Sequence, residues 1–207
     1  MVSTADAGTC IVFDFETTGL SPAAGDRAIE IGAVRLERGK AVDRFQALMD
    51  PGVPISPFIE DYTGIRNEML ARAPAASRVM RDFAAFIDGH NLVAHNAAFD
   101  RKFLAAELER VGRRVEGEIV CSMLAARRLF PRAPNHKLGT LVAHLSLPND
   151  GTYHRALADA EMTAHLWSAM VRALEERGLT RVSFEVMARL CRTSRADVDA
   201  FVVRCSG

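Results

Sequence analysis

Apolar and polar positions divide the chain into a strand-rich first part and a helix-rich remainder. Residues 9–16 read as a strand, with Ile11, Val12, Phe13 and Phe15 apolar, ending in the turn "TTGLSPAAGD". Residues 27–37 alternate well enough for a second strand, and Gly39-Lys40 turns into a third over 41–49, so 27–49 predicts a hairpin. Pro51, Pro54 and Pro57 then interrupt the pattern. Val79, Phe83, Phe86 and Ile87 recur at helical spacing and predict a helix over 74–88. "NLVAH" (91–95) is a short buried strand, and 96–112 a helix that Asn96 can cap and Gly112 can stop. "EIVCS" is another strand. Helices are expected over 122–130 and 137–145, with the longest from about 155 to 177.

Three strands, a helix, then alternating strands and helices predict an α/β domain whose mixed sheet joins an antiparallel hairpin to parallel strands. Residues 179–207 differ. "SFEVMARL" and "SRADVDAFVVR" are two short amphipathic helices, with Ser183 and Ser194 as candidate caps. The expected organisation is a domain over 1–178 and a helical extension over 179–207, either a packed appendage or a docking arm.

Composition changes this picture little. The 207 residues, 49% of them apolar, suit one domain with a sizeable core. No apolar run approaches the roughly 20 residues of a membrane span. The opening "MVSTADAG" lacks the basic-then-apolar pattern of a secretory leader, so a cytoplasmic protein is expected. Cys10, Cys121, Cys191 and Cys205 are scattered, without a CxxC pair, and read as reduced thiols rather than a disulfide frame or zinc site. The formal net charge is zero, so bulk charge predicts no nucleic-acid partner. The 23 arginines against three lysines suit phosphate contacts, but a coding bias toward arginine and alanine explains the same excess.

The acids are more informative. Asp14 and Glu16 stand two residues apart in an otherwise apolar strand, so both point to one face, where like charges repel. Asp100 begins a helical stripe continued by Leu104, Leu108 and Val111, which places it on the core side. Asp159 begins a second stripe with Thr163, Leu166 and Met170, near a helix start where the dipole favours a carboxylate. His154 is five residues earlier, about 140° away on a helix, so it is better placed just before the helix and swung back toward Asp159. Four inward carboxylates without matching buried cations imply hard divalent ions, Mg²⁺ or Mn²⁺. Two such ions about 4 Å apart can clamp an in-line phosphoryl displacement, with His154 taking the proton of the attacking water.

Three motifs, "VFDFETTGL", "HNAAFDRKFL" and "HRALADAEMTAHLW", together span Val12 to Trp167. In this order they resemble the three exonuclease motifs of the DnaQ-like DEDDh family, D-x-E-T-T-G, N-x-x-F-D and H-x(4)-D. The second motif and the intervening "YTGIRNEML" most resemble the proofreading epsilon subunit of bacterial replicative polymerases and its stand-alone relatives. The resemblance implies a ribonuclease-H-like mixed sheet flanked by helices, and a 3′→5′ exonuclease that hydrolyses DNA 3′ ends and releases nucleoside 5′-monophosphates. It implies Asp14, Glu16, Asp100 and Asp159 as ligands of two divalent cations, and His154 as general base. It further implies that Thr17, Leu20, Thr63, Asn96 and Phe99 contact the terminal nucleotide, although Phe99 also suits a core position. The expected partners are single-stranded or frayed nucleic-acid 3′ ends, with a polymerase subunit or a second copy docking on 179–207, and no membrane.

Relatives of the oligoribonuclease and ribonuclease T kind leave RNA trimming open beside DNA hydrolysis. A catalytically silent nucleic-acid-binding module is a third reading, disfavoured because all five motif positions are filled. Other candidates default to structure: Glu30 as a hydrogen-bonded acid, His95, His136 and His144 as packed histidines, Arg127, Arg128 and Arg132 as a solvated face, and Trp167 as core.

Overall fold

In the computed structural model, which describes residues 5–149, 151 and 154–206, five strands form one sheet in the order β3-β2-β1-β4-β5. The first four residues of the stretch read for a leader lie outside the described residues. The strands are β1 Cys10–Thr17, β2 Ala28–Glu37, β3 Lys40–Leu48, β4 Leu92–Ala94 and β5 Ile119–Cys121. β1, β2 and β3 run antiparallel, whereas β4 lies parallel to β1 and β5 parallel to β4. The sheet is therefore mixed, as the order of elements predicts.

Nine α-helices are interleaved with and follow these strands among the described residues. They are α1 Pro57–Thr63, α2 Asn67–Leu70, α3 Ala76–Ile87, α4 Ala98–Glu109, α5 Ser122–Leu129, α6 Leu138–His144, α7 Ala156–Glu175, α8 Phe184–Arg192 and α9 Val198–Ser206. None of them is long and apolar enough to cross a membrane.

The alternation along β1 assigns its two faces. Ile11, Phe13 and Phe15 bury against Phe83 of α3 and Phe103 and Leu104 of α4. Val12 packs on the other side with Trp167, Leu166 and Met170 of α7. Trp167 is fully buried, and its indole N–H donates to Ala7 O at 2.8 Å. Phe184, Met187 and Leu190 of α8 and Val198, Phe201 and Val202 of α9 are buried in this same cluster. Backbone bonds from Ala7 N to Val182 O and from Phe184 N to Ala5 O tie the early and late parts of the chain together, both at 2.8–2.9 Å.

A bulge shapes the end of β1. Glu16 faces Glu30, but Thr17 faces Ala28, which leaves Ile29 as the extra residue. Ile29 packs with Ile55, Ile65 and Leu70, the small cluster that holds α1 and α2. The sequence pattern missed these two helices because the prolines read as interruptions. Pro57 instead occupies the first helical turn, where its absent N–H costs nothing, and Ser56 Oγ accepts from Ile59 N. Two further expectations need correction. Asn96 does not cap α4 with its side chain: it sits at φ +61°, and its carbonyl accepts from Phe99 N at 2.9 Å. Ser194 donates its hydroxyl to Asp197 Oδ2 instead of capping α9, whereas Ser183 does cap α8 by accepting from Val186 N. Gly112 ends α4 at φ +69°.

Gly32 lies opposite Asp14 on β2, where the first turn of α7 crosses the sheet. A Cβ there would lie 2.1 Å from Leu157 N and 2.2 Å from Ala156 C, both backbone atoms of that turn. Neither side can yield without moving a strand or a helix. Gly32→Ala should lower Tm by roughly 10 °C, a loss of about 3 kcal/mol or more. A thermal unfolding midpoint within about 2 °C of the unmutated chain would show that α7 is not held against β2 this closely.

Candidate active site

Three separate elements bring the predicted acids to one cleft at the end of β1. Asp14 and Glu16 come from β1, Asp100 from the first turn of α4, and Asp159 from the first turn of α7. All four line a cavity of about 720 Å³, together with His154. One ligand atom each from Glu16, His154 and Asp159 lies within 4.8 Å of the others. As its spacing predicts, His154 precedes α7: it stands at φ +58°, and the helix begins two residues later.

Backbone groups hold these acids in place. Asp100 is 2% exposed and accepts from Phe15 N at 3.2 Å, which ties α4 to β1. Asp159 stands at the start of α7, where the nearby backbone N–H groups of His154 and Arg155 favour its charged form, as the Phe15 N–H does for Asp100. Burial and mutual repulsion oppose them and prevail. Burial pushes Asp14 well above the usual carboxylate range, and the neighbouring Asp100, Asp159 and Glu16 push it further. Burial and then Asp159 raise Glu16 to about 8, although Arg155 works against the rise. Burial raises Asp100 to about 7. Asp159 is raised mainly by burial, with His154 pulling the other way.

An oxygen-rich cluster with this unmet negative charge fits a hard divalent cation, whose positive charge would replace the protons the acids otherwise retain. The nearby arginine is already engaged. Arg155 donates from Nη2 to Glu30 Oε1 at 2.9 Å and from Nε to Glu30 Oε2 at 3.1 Å. Glu30 is fully buried and also accepts from Ala156 N and Gln46 Nε2, which agrees with its expected hydrogen-bonding role. A second buried pair acts on α4: Glu107, 2% exposed, accepts from Arg27 Nε at 2.7 Å and from Ala28 N at 3.2 Å.

Of the residues expected to contact the terminal nucleotide, Thr17, Leu20, Thr63 and Phe99 line the cleft. Asn96 is exposed and is not among the lining residues. Leu20 is 80% exposed and stands free at the rim. The Thr17 and Thr63 hydroxyls already donate to Gly19 O and Ile59 O. Phe99 is half-buried against Phe103, with ring centroids 5.0 Å apart, so it serves both the core and the cleft wall.

Sequence reasoning missed Phe58 and Tyr62. Both line the cleft from α1, 70% and 51% exposed, with their rings stacked at 5.8 Å. Tyr62 also lies over the His154 ring, 4.0 Å between centroids. Ser-Pro before two aromatics four residues apart was the signal available for a helix with one aromatic edge.

His95 touches the cleft but is held as a packed histidine: its ring nitrogens bond Ser122 Oγ and His136 O, both at 2.9 Å. Arg128 bonds the carbonyls of Leu124 and Thr193, so it braces the fold instead of facing a ligand. The four cysteines are free thiols.

Comparison with known proteins agrees with this geometry. The family model RNase_T, an exonuclease, matches residues 11–167. The DNA polymerase III PolC-type of Caldanaerobacter subterraneus subsp. tengcongensis is 39% identical over 176 residues, 85% of this chain but 12% of that protein. A DNA polymerase III subunit epsilon-like protein of Rhodobacter capsulatus is 38% identical over 179 residues, 84% of this chain and 25% of that protein. The chain thus spans only a small part of these relatives. Among solved structures, Exonuclease X in complex with 5′ overhanging duplex DNA is similar with a TM-score of 0.70 and 29% identity, covering 87% of this chain and 98% of that one. The nuclease domain of 3′hExo, a DEDDh family member bound to rAMP, shares the fold with a TM-score of 0.67 at 22% identity, over 81% of this chain and 94% of that one.

The buried imidazole of His95 generates a pH test. Burial lowers it from 6.5 to about 4, so between these values the unfolded chain takes up a proton that the folded chain refuses. Its contribution to stability is complete above pH 6.5 and declines as pH falls toward 4, by about 2 kcal/mol at pH 5. Urea unfolding at pH 7.5 and pH 5 should show a smaller acid-induced loss for His95→Gln than for the unmutated chain. Equal losses would contradict a buried neutral imidazole.

Proposed function

The chain belongs to the exonuclease family, and from that premise we propose that it removes nucleotides one at a time from the 3′ ends of nucleic acid, releasing nucleoside 5′-monophosphates. DNA is the leading substrate class. The observation that carries the proposal is the convergence of four carboxylates from β1, α4 and α7 with one histidine in a single cleft.

Asp14, Glu16, Asp100 and Asp159 would hold two divalent cations, Mg²⁺ or Mn²⁺. When bound, such ions supply charge that polarises the scissile phosphate and steadies the leaving oxygen. The chain's own residues do the remaining work. The His154 imidazole, which lines the cleft beside Glu16 and Asp159, takes the proton of the attacking water. Asp159 lies beside that imidazole, with a carboxylate oxygen within 4.8 Å of a ring nitrogen. Thr17, Thr63 and Phe99 wall the space for the terminal nucleotide, and Leu20 stands at its rim. The stacked Phe58 and Tyr62 extend the apolar side of the cleft toward His154.

The burial of Phe184, Met187, Leu190, Phe201 and Val202 in the main core supports 179–207 as an appendage packed on the domain over 1–178. The names of relatives are the support for association with a polymerase.

A time course on 5′-labelled, 3′-tailed DNA and RNA oligonucleotides tests the proposal. With Mg²⁺ or Mn²⁺ the unmutated chain should give a ladder shortening from the 3′ end, while chelator or Asp14→Asn should abolish it. Faster shortening of RNA than of DNA would assign the chain to RNA trimming. Strand binding without cleavage under either metal would favour a silent binding module.

His154→Ala should lower kcat by about 10²–10⁴-fold while KM changes little. A change confined to KM would contradict the general-base role.

A further inference from the structure

We propose that Glu30 and Arg155 form a positioning pair that sets the imidazole of His154 relative to the β1 carboxylates; this rests on the nuclease reading above. Glu30 stands directly across from Glu16 in the β1–β2 ladder, on the same face of the sheet. Its carboxylate is wholly buried and accepts four hydrogen bonds: two from the Arg155 guanidinium, one from Ala156 N and one from Gln46 Nε2.

The arrangement exceeds what closing a helix requires. The first helical amides need acceptors, and a serine or aspartate at the preceding position would supply one. Arg155 occupies that position and makes no such cap. Instead the N–H of Ala156 donates to Glu30 Oε2 on β2, at 3.1 Å. The side chain of Arg155 is then forked onto Glu30 as well. A bidentate guanidinium–carboxylate pair fixes orientation as well as distance. The 154–156 backbone is thereby locked to β2, in register with Glu16.

This lock matters because His154 occupies the left-handed region at φ +58°, which an L-residue holds only when its surroundings impose it. Gly32, two residues along β2, removes the Cβ that would keep the turn away from the sheet. Strand and turn meet, and Glu16, His154 and Asp159 come within 4.8 Å. Glu30 does not line the cleft, so it acts through the turn and not on the substrate.

Glu30→Gln keeps the size of the side chain but weakens the fork; Arg155→Lys keeps the charge but loses its bidentate geometry. On a 3′-tailed oligonucleotide both should lower kcat by roughly 10–100-fold, the cost of misplacing a catalytic group by about an ångström. KM should stay within about two-fold. Mn²⁺ affinity, read by calorimetry, should be unchanged, because Asp14, Glu16, Asp100 and Asp159 remain. Trp167→Phe, remote from the cleft, is the control for general destabilisation and should keep kcat at a temperature well below its Tm. A kcat retained in Glu30→Gln, or lost in step with Tm as much in the control, would overturn the proposal.

Amide hydrogen exchange gives a readout independent of activity. Residues 154–156 should exchange faster in Glu30→Gln while the rest of α7 does not. Unchanged exchange there overturns the clamp whatever the activity. Absence of cleavage by the unmutated chain overturns the nuclease reading itself.

Discussion

The mutual repulsion of four carboxylates at the end of one strand is the constraint around which the fold is arranged. No single element could carry all four without pushing its own backbone apart. The chain therefore distributes them over β1, α4 and α7 and ties each helix to the sheet by an ion pair on a buried glutamate. Glu107 with Arg27 fixes α4, and Glu30 with Arg155 fixes α7. Both glutamates also accept a backbone N–H, at Ala28 and Ala156, so each pair is satisfied by more than charge. Acid side chains that serve structure thus surround those that serve chemistry, and hydrogen-bond partners distinguish them. Glu30 and Glu107 are saturated, whereas Glu16 and Asp14 are left to repel.

Close approach is the second requirement. A cluster of this kind needs helix starts pressed against a strand end, and ordinary side chains would keep them apart. Gly32 permits contact with α7. The bulge after Glu16 frees Ile29 to anchor α1 and α2, and α1 forms a wall of the cleft. Three backbone exceptions serve the catalytic geometry: the bulge after Glu16, Gly32 and the left-handed His154.

Much of this was legible in the sequence, for identifiable reasons. Acids at inward positions of otherwise apolar stripes contradict the hydrophobic pattern, and the contradiction locates Asp14, Glu16, Asp100 and Asp159. The 140° argument places His154 before its helix because helical geometry is rigid. What escaped detection depended on long-range or local backbone facts. Glu30 and Arg155 are 125 residues apart, so no local pattern joins them. The wall made by Phe58 and Tyr62 was hidden because Pro57 starts a helix as readily as it ends one. Asn96 looked like a cap, but its left-handed backbone turns its side chain out of that role.

The bonds between residues 5–7 and 182–184 have a consequence for synthesis. Trp167, Ala7, Val182 and Phe184 complete one face of the sheet, and they join only after residue 184 has left the ribosome. Until then β1 has its neighbour β2 but lacks the cover that α7, α8 and α9 provide. The nascent chain must hold its central strand half-clothed from the synthesis of β1 until α7, α8 and α9 have emerged. Its charged end, a liability in the finished core, is then an advantage, because a strand bearing two ionised acids resists pairing with a neighbouring nascent chain.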